Sequence, residues 1–309
     1  MKLCCLINTS SGNKNGAKIL KELSKINPQC IEKILTLTSS NFSDSLKLAE
    51  AHKKIIVFGG DGSVSSVLKH FQNKENKIGI YPLGTANDLA RELGIYKLSK
   101  NLSVLELLQR YHQSESDLNL QLWNLEIADK IILFTNYLSF GFEAAVVNQF
   151  AKWRKEGKLL TRFGRISNKL AYALGIIKHF PHRLPKELCV ELETQKIPLP
   201  DNLKGLIFSN IKSTAGICKT NTQGNPSDNM IEMICTGPIR SYFNLITTSF
   251  ATSKSKDTCP SGTNWSISCK EEPIEIQIDG EHLGSFRINK ALIYPAGTSR
   301  VLLPKDFSY

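Results

Sequence analysis

The sequence predicts an α/β protein of two domains, an N-terminal doubly wound domain and a C-terminal antiparallel β-sandwich domain. Strand and helix signals alternate from residue 1 to about residue 124, which is typical of a parallel sheet covered by helices. Strand signals, among them Ile131–Phe140, Trp265–Cys269 and Ile274–Asp279, then crowd together in residues 125–293 with few helices between them, which favours an antiparallel domain. A return of the last stretch, about residues 294–309, to the first domain is left open.

Four short apolar runs in the first domain predict buried strands: Leu3–Ile7, Ile31–Leu37, Lys54–Phe58 and Ile78–Pro82. A helical pattern follows each run: Ala17–Leu23, Asp44–Ala51, Val64–Phe71 and Leu89–Leu93. Polar turns follow Ile7, Leu37, Phe58 and Tyr81. Because ligands of parallel sheets bind beyond the carboxyl ends of the strands, we expect these four turns to meet in one crevice.

The turn after Phe58 consists of three glycines and one aspartate, Gly59-Gly60-Asp61-Gly62, between a strand and a helix. Glycine adopts backbone angles closed to other residues and lets a ligand approach the chain. The N–H groups and positive dipole at the start of a helix suit phosphate. Ser63 is placed either to cap this helix or to bond a phosphate oxygen. Taken alone, the turn is equally consistent with an ordinary strand-to-helix connection.

A second turn of similar composition, Gly84 to Asp88, begins 25 residues after Gly59. Thr85 with Asp88 resembles a capping box, and Gly94 suits the residue that ends the next helix. Together the two turns predict two walls of a pocket for a nucleoside triphosphate. The alternative is that both are ordinary turns that connect a strand to a helix. The chain contains neither a P-loop nor a G-x-G-x-x-G after a strand, so phosphate binding would use neither motif.

The net charge of +11 is concentrated in residues 151–183, where nine Lys or Arg accompany one acid. Apolar residues recur there at helical spacing, and Ser241–Ala251 is also predicted to be helical. One interpretation is a helix packed on the second domain with a solvated charged face. The other is docking on an anionic lipid surface, aided by Phe150 and Trp153.

The sequence contains no apolar run of 18 or more residues, so it predicts no membrane span. Its first apolar run is too short for a signal peptide. Eight cysteines without C-x-x-C spacing indicate reduced thiols rather than disulfides or zinc ligands. We therefore expect a cytoplasmic protein that is peripheral at the membrane.

The segments Phe58–Ser63 and Pro82–Arg91 resemble the paired motifs of the diacylglycerol/sphingosine kinase catalytic family, with the soluble bacterial lipid kinases as the nearest branch. The resemblance covers nearly the whole chain and implies a nucleotide-binding α/β domain joined to a β-rich lipid-binding domain. It implies that ATP is held by an N-P-x-S-G turn, a following Thr, a GGDGT loop and the Thr of P-x-G-T-x-N-D. Thr9 stands here in place of the usual Pro, and Ser63 in place of the usual Thr. The expected nucleotide-binding residues are Asn8, Thr9, Ser10, Ser11, Gly12, Thr38, Gly59, Gly60, Asp61, Gly62, Ser63, Val64, Ser65, Thr85, Asn87 and Asp88.

The segment Ile274–Glu281 alternates isoleucines with polar residues, which places the isoleucines on one face of a strand. If the strand persists to Glu281, then Asp279 and Glu281 point the same way, about 7 Å apart. A solvated strand edge running into a turn is the plain interpretation. The segment resembles the family's D-G-E motif, which implies that Glu281 takes the proton from the attacking hydroxyl with support from Asp279.

The segment Asn225–Glu232 is by itself an ordinary polar turn. It resembles the family's D-G-L-L-D stretch, which holds a structural Mg²⁺. The resemblance implies a carboxylate ligand from Asp228 and carbonyl ligands from Asn225 and Met230, all hard oxygen donors. Asn229 replaces the family's Gly, and Asn tolerates the left-handed backbone that such a loop needs.

The resemblance implies an ATP- and Mg²⁺-dependent kinase that phosphorylates a hydroxyl of diacylglycerol or a related lipid. Asp61 and Asp88 are expected to orient Mg²⁺ or the phosphate donor. The expected partner is the lipid substrate at a membrane surface, met through residues 151–183; no nucleic acid is expected, and a homodimer is left open. The alternatives are a kinase of the NAD kinase type, which also carries a GGDG loop, and a lipid-binding protein that has lost catalysis.

Overall fold

The computed structural model describes residues 1–156, 183–214, 218–219, 224–237 and 259–307. Its contacts divide the chain into two compact units, the first formed by Met1–Leu122 with Gly297–Tyr309 and the second by Trp123–Ala296. The sequence places the corresponding boundaries at residues 124 and 294. Within the described ranges, no helix combines the length and the apolar character needed to cross a membrane.

The first unit alternates strands and helices, as the sequence predicts. Its strands are β1 (Leu3–Asn8), β2 (Ile31–Leu37), β3 (Lys54–Gly59) and β4 (Lys77–Pro82). Its helices are α1 (Ser11–Ile26), α2 (Phe42–Ala49), α3 (Asp61–His70), α4 (Asp88–Glu92), α5 (Ile95–Asn101) and α6 (Val104–Gln113). The sequence patterns did not identify α5 and α6, although α6 begins with a capping box formed by Ser103 and Glu106.

The strands of the first unit run in parallel in the order β2-β1-β3-β4. Asn8 is opposite Leu37, Ile7 is opposite Phe58, and Gly59 is opposite Pro82. Because these registers bring the carboxyl ends level, the four polar turns share one edge of the sheet. The chain order reverses between β1 and β3, and such a reversal is where doubly wound sheets leave a crevice for a ligand.

Helix α3 packs on this sheet by the face that the sequence predicts. Val64, Val67, Leu68 and Phe71 are all buried, at 5% exposure or less. The apolar spacing of i, i+3, i+4 and i+7 thus fixes which side of α3 meets the strands. The loop before α3 is held at the carboxyl edge of the sheet as a consequence.

The C-terminal segment of the chain lies in the first unit. Arg300 and Val301 pair in parallel with Lys77 and Ile78 of β4. Arg300 also binds the Asp117 carboxylate with two nitrogens, at 2.7 Å and 3.1 Å, and Lys77 binds the same carboxylate at 2.7 Å. Backbone pairing and this ion-pair cluster together attach the segment.

The second unit is rich in antiparallel strands. It contains β5 (Asp117–Ile127, which begins in the first unit), β6 (Lys130–Phe134), β7 (Tyr137–Gly141), β8 (Cys189–Leu192), β9 (Gln195–Lys196), β10 (Gly205–Ser209), β11 (Ser213–Thr214), β12 (Cys218–Lys219), β13 (Ile231–Thr236), β14 (Ser261–Gly262), β15 (Trp265–Ile278) and β16 (Glu281–Leu302, which ends in the first unit). Helix α7 (Phe142–Lys155) follows β7. Every strand pair described within this unit is antiparallel. The predicted combination of an α/β domain and an antiparallel strand-rich domain is therefore confirmed.

Three strand predictions for the second unit differ from the structure in detail. The predicted strand Ile131–Phe140 is two strands, β6 and β7, separated by Thr135 and Asn136. The two predicted strands Trp265–Cys269 and Ile274–Asp279 form one strand, β15. The predicted helix Ser241–Ala251 and residues 157–182 of the basic segment lie outside the described residues.

Candidate active site

The two glycine-rich turns of the first unit contact each other directly. A Cβ added to Gly84 would lie 2.6 Å from the Gly60 Cα, and one added to Gly60 would lie 3.0 Å from the Gly84 Cα. The approach at Gly84 leaves no room for a side chain, because the obstructing atom is backbone, and the approach at Gly60 is tight. The packing of one turn on the other therefore favours glycine at both positions, before any ligand is considered.

Asp61 connects the same two turns through its carboxylate. Its Oδ2 accepts a hydrogen bond from the Asn87 N–H at 2.7 Å, and its Oδ1 accepts one from the Asp88 N–H at 2.6 Å. The Asn87 side chain bonds both the N–H and the carbonyl of Gly84. Asp61 thus supplies the negative group that the start of α4 needs.

These contacts correct two predictions about helix caps. Thr85 and Asp88 do not form a capping box, because α4 has Asn87 as its N-cap residue and takes its acceptors from Asp61. Ser63 does not cap α3, because this helix begins at Asp61 with Gly60 as its N-cap residue. The Ser63 hydroxyl instead accepts a hydrogen bond from the Asn8 side-chain amide at 2.8 Å.

The turn after β1 is attached to both glycine-rich turns. Asn8 reaches Ser63, and Gly12 lies so close to Leu83 that a Cβ would be 2.6 Å from the Leu83 carbonyl oxygen. Gly12, Asn13 and Lys14 all have left-handed backbone angles, with φ of +63°, +56° and +67°. Such a run is unfavourable for Asn and Lys, and strain of this kind concentrates where a loop is held for function.

The remaining predicted nucleotide-binding residues fall into two groups. Thr38 bonds within its own turn, where its N–H and hydroxyl both donate to the Asn41 side chain at 2.8 Å. Val64 and Ser65 are buried in α3, and the Val64 N–H donates to the Gly60 carbonyl. Residues 61–63 form the first turn of α3 and come before this first bond within the helix. The N–H groups of a first turn are the ones that a helix offers to a phosphate.

The Asp279-Gly280 pair in the second unit forms a tight turn between β15 and β16. Ile278 pairs with Glu281, so only these two residues lie in the loop, and their φ values are +51° and +84°. Two successive positive φ values at Asp-Gly are typical of a type I′ hairpin. The expectation that Asp279 and Glu281 continue one strand and point the same way is therefore wrong, because the chain reverses between them.

Asp279 is engaged in holding another turn of the second unit. Its carboxylate accepts hydrogen bonds from the N–H groups of Thr135, Asn136 and Tyr137, the shortest at 2.8 Å from Asn136. The Thr135 hydroxyl donates to it as well, at 3.2 Å. Glu281, two residues later, is exposed. Of the two predicted catalytic acids, Glu281 is the one that presents its carboxylate to solvent.

The predicted Mg²⁺ loop is folded around Asp228. Asn229 is left-handed with φ of +60°, as expected for the residue that replaces Gly. The Asp228 Oδ1 accepts the Met230 N–H at 2.9 Å, and within the described residues the other carboxylate oxygen has no hydrogen-bond partner. One exposed carboxylate with neighbouring carbonyls of Asn225 and Met230 fits a hard cation such as Mg²⁺. The described ranges hold no group of three or more His, Cys, Asp and Glu side chains suited to a metal, so a site here depends on carbonyl ligands.

Comparison with known proteins assigns the chain to a family. The model of the diacylglycerol kinase catalytic domain matches residues 2–119, and that of the diacylglycerol kinase accessory domain matches residues 133–282. The chain belongs to the diacylglycerol kinase family. The two matched ranges contain the glycine-rich turns, the Asp228 loop and Glu281.

Individual members of the diacylglycerol kinase family show the same similarity. The chain is 29% identical over 258 residues to the putative diacylglycerol kinase K06A1.6 of Caenorhabditis elegans, covering 74% of this chain and 27% of that protein. It is 30% identical over 245 residues to diacylglycerol kinase theta of Mus musculus, covering 68% of this chain and 25% of that protein. The chain thus spans about a quarter of the length of these curated relatives.

The fold is that of a bacterial protein described as a putative diacylglycerol kinase. The crystal structure of this protein, from Bacillus anthracis, superposes with a TM-score of 0.70 over 99% of this chain and 96% of its own, at 16% identity. At this identity the similarity concerns the fold alone, and it extends across both units of the chain.

Proposed function

We propose that this chain is an ATP-dependent lipid kinase that transfers the γ-phosphate of ATP to a hydroxyl of diacylglycerol or a related lipid. The observation that carries the proposal is the direct contact of the three turns after β1, β3 and β4, which Asn8, Asp61 and the glycines hold together at the carboxyl edge. The start of α3 lies within this arrangement, and the N–H groups at the start of a helix suit a phosphate. Membership of the diacylglycerol kinase family supports phosphate transfer to a lipid hydroxyl.

The proposed reaction relies on positioning more than on covalent work by the protein. The N–H groups of residues 61–63 and the hydroxyls of Ser63 and Thr85 bind the phosphates. Asp61 holds the loop in shape through its bonds to Asn87 and Asp88. We therefore propose that it positions the phosphate-binding loop and takes no part in the chemical step. Glu281 takes the proton of the acceptor hydroxyl, whose oxygen then forms a bond to the γ-phosphorus as the bond to the β-phosphate oxygen breaks.

A divalent cation is part of the proposal in two places. We propose that Asp88 helps to hold a Mg²⁺ ion bound with the nucleotide, which would neutralise charge on the phosphoryl group that is transferred. Asp228, with the carbonyls of Asn225 and Met230, would hold a structural Mg²⁺ in the second unit. Both assignments concern oxygen donors, which are the ligands Mg²⁺ prefers.

We further propose that residues 151–183 bring the protein to an anionic membrane surface, where its lipid substrate resides. Nine cations against one acid in this stretch would supply adsorption, at about 1 kcal/mol for each cation near the surface. Such binding is peripheral and falls with ionic strength.

The test is incubation of the protein with ³²P-labelled ATP, Mg²⁺ and mixed vesicles containing diacylglycerol, beside Glu281→Ala. We expect label in a phosphatidic acid-type product and a loss of about 10²–10⁴-fold in rate for the variant. Label in NAD but in no lipid would replace the proposal with a kinase of the NAD kinase type. Vesicle binding without any labelled product would favour a protein that binds lipid and does not catalyse.

A further inference from the structure

The side chain of Arg91 is bound to the second glycine-rich turn. Arg91 belongs to α4, and its backbone N–H donates to the Asn87 carbonyl at 2.9 Å. Its side chain returns to the turn, where Nε donates to the Ala86 carbonyl at 2.6 Å. Because Ala86 follows Thr85, the Arg91 guanidinium is held beside a residue to which the proposed function assigns phosphate binding.

A second contact fixes the same guanidinium from α5. Its Cζ lies 3.8 Å from the centroid of the Tyr96 ring, a distance at which the planar cation packs closely against the aromatic face. The hydrogen bond to Ala86 and the Tyr96 ring together restrict a side chain that is otherwise among the most flexible. A group that is ordered before its ligand arrives loses less entropy when it binds that ligand.

The charge of Arg91 is not neutralised by a neighbouring acid. In the part of the chain that the structure describes, no carboxylate oxygen lies within 4 Å of its guanidinium, and its terminal nitrogens Nη1 and Nη2 make no hydrogen bond. Arg300 shows the contrast, because its guanidinium is bound by the carboxylates of Asp117 and Glu75. Arg91 is half-buried and held in place, yet its two terminal nitrogens are left for a ligand.

The groups around Arg91 indicate that this ligand is a phosphate. Asp61 and Asp88 place two carboxylates in the glycine-rich turns, and carboxylates repel a polyphosphate. A cation fixed on the same turns offsets this repulsion. The two terminal nitrogens of a guanidinium present parallel N–H groups in one plane, which match two oxygens of one phosphate.

We infer that Arg91 binds the phosphate chain of the nucleotide through Nη1 and Nη2. The inference rests on the proposed function, since it takes a nucleoside triphosphate as the ligand of the glycine-rich turns. It adds a full positive charge to a phosphate site that otherwise consists of N–H groups and hydroxyls. The bond from Nε to Ala86 and the contact with Tyr96 position this charge.

The experiment measures the affinity of the full chain for ATP with Mg²⁺ by titration calorimetry, without lipid, at low and at high salt. Arg91→Ala removes the proposed contact, and Arg91→Lys keeps the charge without the planar pair of N–H groups. Arg110→Ala is the matched control, because it removes the same charge from the other end of the sheet. Arg110 lies near the end of α6, and the carbonyls of His112 and Ser114 that follow it bind Lys54 at the start of β3. Thermal unfolding of each variant shows whether it is folded.

We expect Arg91→Ala to weaken ATP binding about tenfold or more, as for lost hydrogen bonds between charged groups, and Arg110→Ala to change it less than about twofold. Arg91→Lys should weaken it to a smaller extent, and it gives the result if Arg91→Ala does not fold. The loss should shrink at high salt, because it concerns a charge that salt screens.

The inference is overturned if folded Arg91→Ala or, in its place, folded Arg91→Lys binds ATP as the unaltered protein does. It is also overturned if the loss is the same at low and high salt, which would mean that Arg91 acts only through the shape of the turn. Arg91-dependent binding of ATP without labelled lipid would leave this inference standing and remove the proposed lipid kinase. Labelled lipid with ATP binding that does not depend on Arg91 would do the reverse.

Discussion

Asp61 in the first unit and Asp279 in the second make the same kind of contact in unrelated surroundings. Asp61 stands at the start of a helix and accepts the N–H groups of Asn87 and Asp88. Asp279 stands in a hairpin turn and accepts the N–H groups of Thr135, Asn136 and Tyr137. Each carboxylate fixes a turn that is distant in sequence, which indicates a structural task for both acids.

The two regions differ in what lies beside the engaged aspartate. In the first unit the neighbouring groups are the N–H groups at the start of α3, which suit an anion. In the second unit the neighbour is Glu281, an exposed acid at the start of β16. In both regions the acid named first in the motif holds the backbone of a distant turn. Under the proposed function, the groups beside these acids bind the phosphates or take the proton.

The largest effect on stability is expected from replacing the two engaged aspartates. Asp279→Asn leaves one oxygen for several donors and turns an NH₂ group towards N–H groups. We expect a loss of about 2–3 kcal/mol in the free energy of unfolding, because hydrogen bonds to a charged group are lost. Asp61→Asn should cost a similar amount for the same reason. Urea unfolding followed by circular dichroism measures both.

The matched control for this prediction is Glu281→Gln. Because Glu281 is exposed, its replacement should change the free energy of unfolding by less than about 0.5 kcal/mol while strongly lowering the proposed kinase activity. A destabilised Glu281→Gln, or an Asp279→Asn of unchanged stability, would contradict the division of tasks between the two acids.

The sequence predicted the parts of the site that follow from local pattern. The strands, the face of α3 and the preference for glycine at positions 59 and 60 depend on spacing and residue type, and they are found in the structure. The bonds from Asp61 to Asn87 and Asp88 span more than 25 residues, so no local pattern could reveal them. The same holds for Asp279, whose partners lie more than 140 residues earlier.

The hairpin at Asp279-Gly280 had a signal in the sequence, but a competing pattern outweighed this signal. Asp-Gly between alternating strands is a strong hairpin signal, yet the alternation from Ile274 suggested a strand that runs through it. The bulge in the pairing of β15 and β16 near Gly284 was beyond prediction for a different reason, because it has no periodic signature.

A smaller effect is expected where the two glycine-rich turns meet. Gly84→Ala places a methyl group 2.6 Å from the Gly60 Cα, and the backbone must shift to receive it. We expect a loss of about 1–3 kcal/mol in stability and a raised KM for ATP, because the turn moves away from the start of α3. Gly62→Ala, at an exposed position in the first turn of α3, should cost no stability. Equal stability of Gly84→Ala and the unaltered protein would show that the turns do not depend on their close approach.

The Asp228 loop is a third turn, and its conformation depends on the left-handed residue Asn229. Asn229→Ala forces a Cβ-bearing residue without a polar side chain into the left-handed conformation, at a cost of about 1 kcal/mol, whereas Asn229→Gly fits it. Since this loop carries the proposed Mg²⁺ ligands, Asn229→Ala should also raise the Mg²⁺ concentration that gives half-maximal activity. The comparison of the two variants separates backbone conformation from the loss of the Asn side chain. If both variants behave alike, the left-handed backbone is not what supports the site.

The smallest effect is expected at Asp117, an engaged carboxylate whose partners are side-chain cations instead of backbone N–H groups. Burial acts to raise the pKa of Asp117, but hydrogen bonds from Arg300 and Lys77 outweigh it and hold the pKa below its ordinary value of 3.8. Because the pKa is lowered on folding, the stabilisation is complete above the ordinary value and is lost as the pH falls through the folded value. Asp117→Asn should therefore be less stable than the unaltered protein at neutral pH, and the two should converge in acid, as urea unfolding at a series of pH values would show. High salt should narrow the difference, since the cluster is partly exposed and is screened, whereas it should leave the effect of Asp279→Asn largely unchanged. A difference that persists undiminished in acid would mean that Asp117 acts through packing and not through its charge.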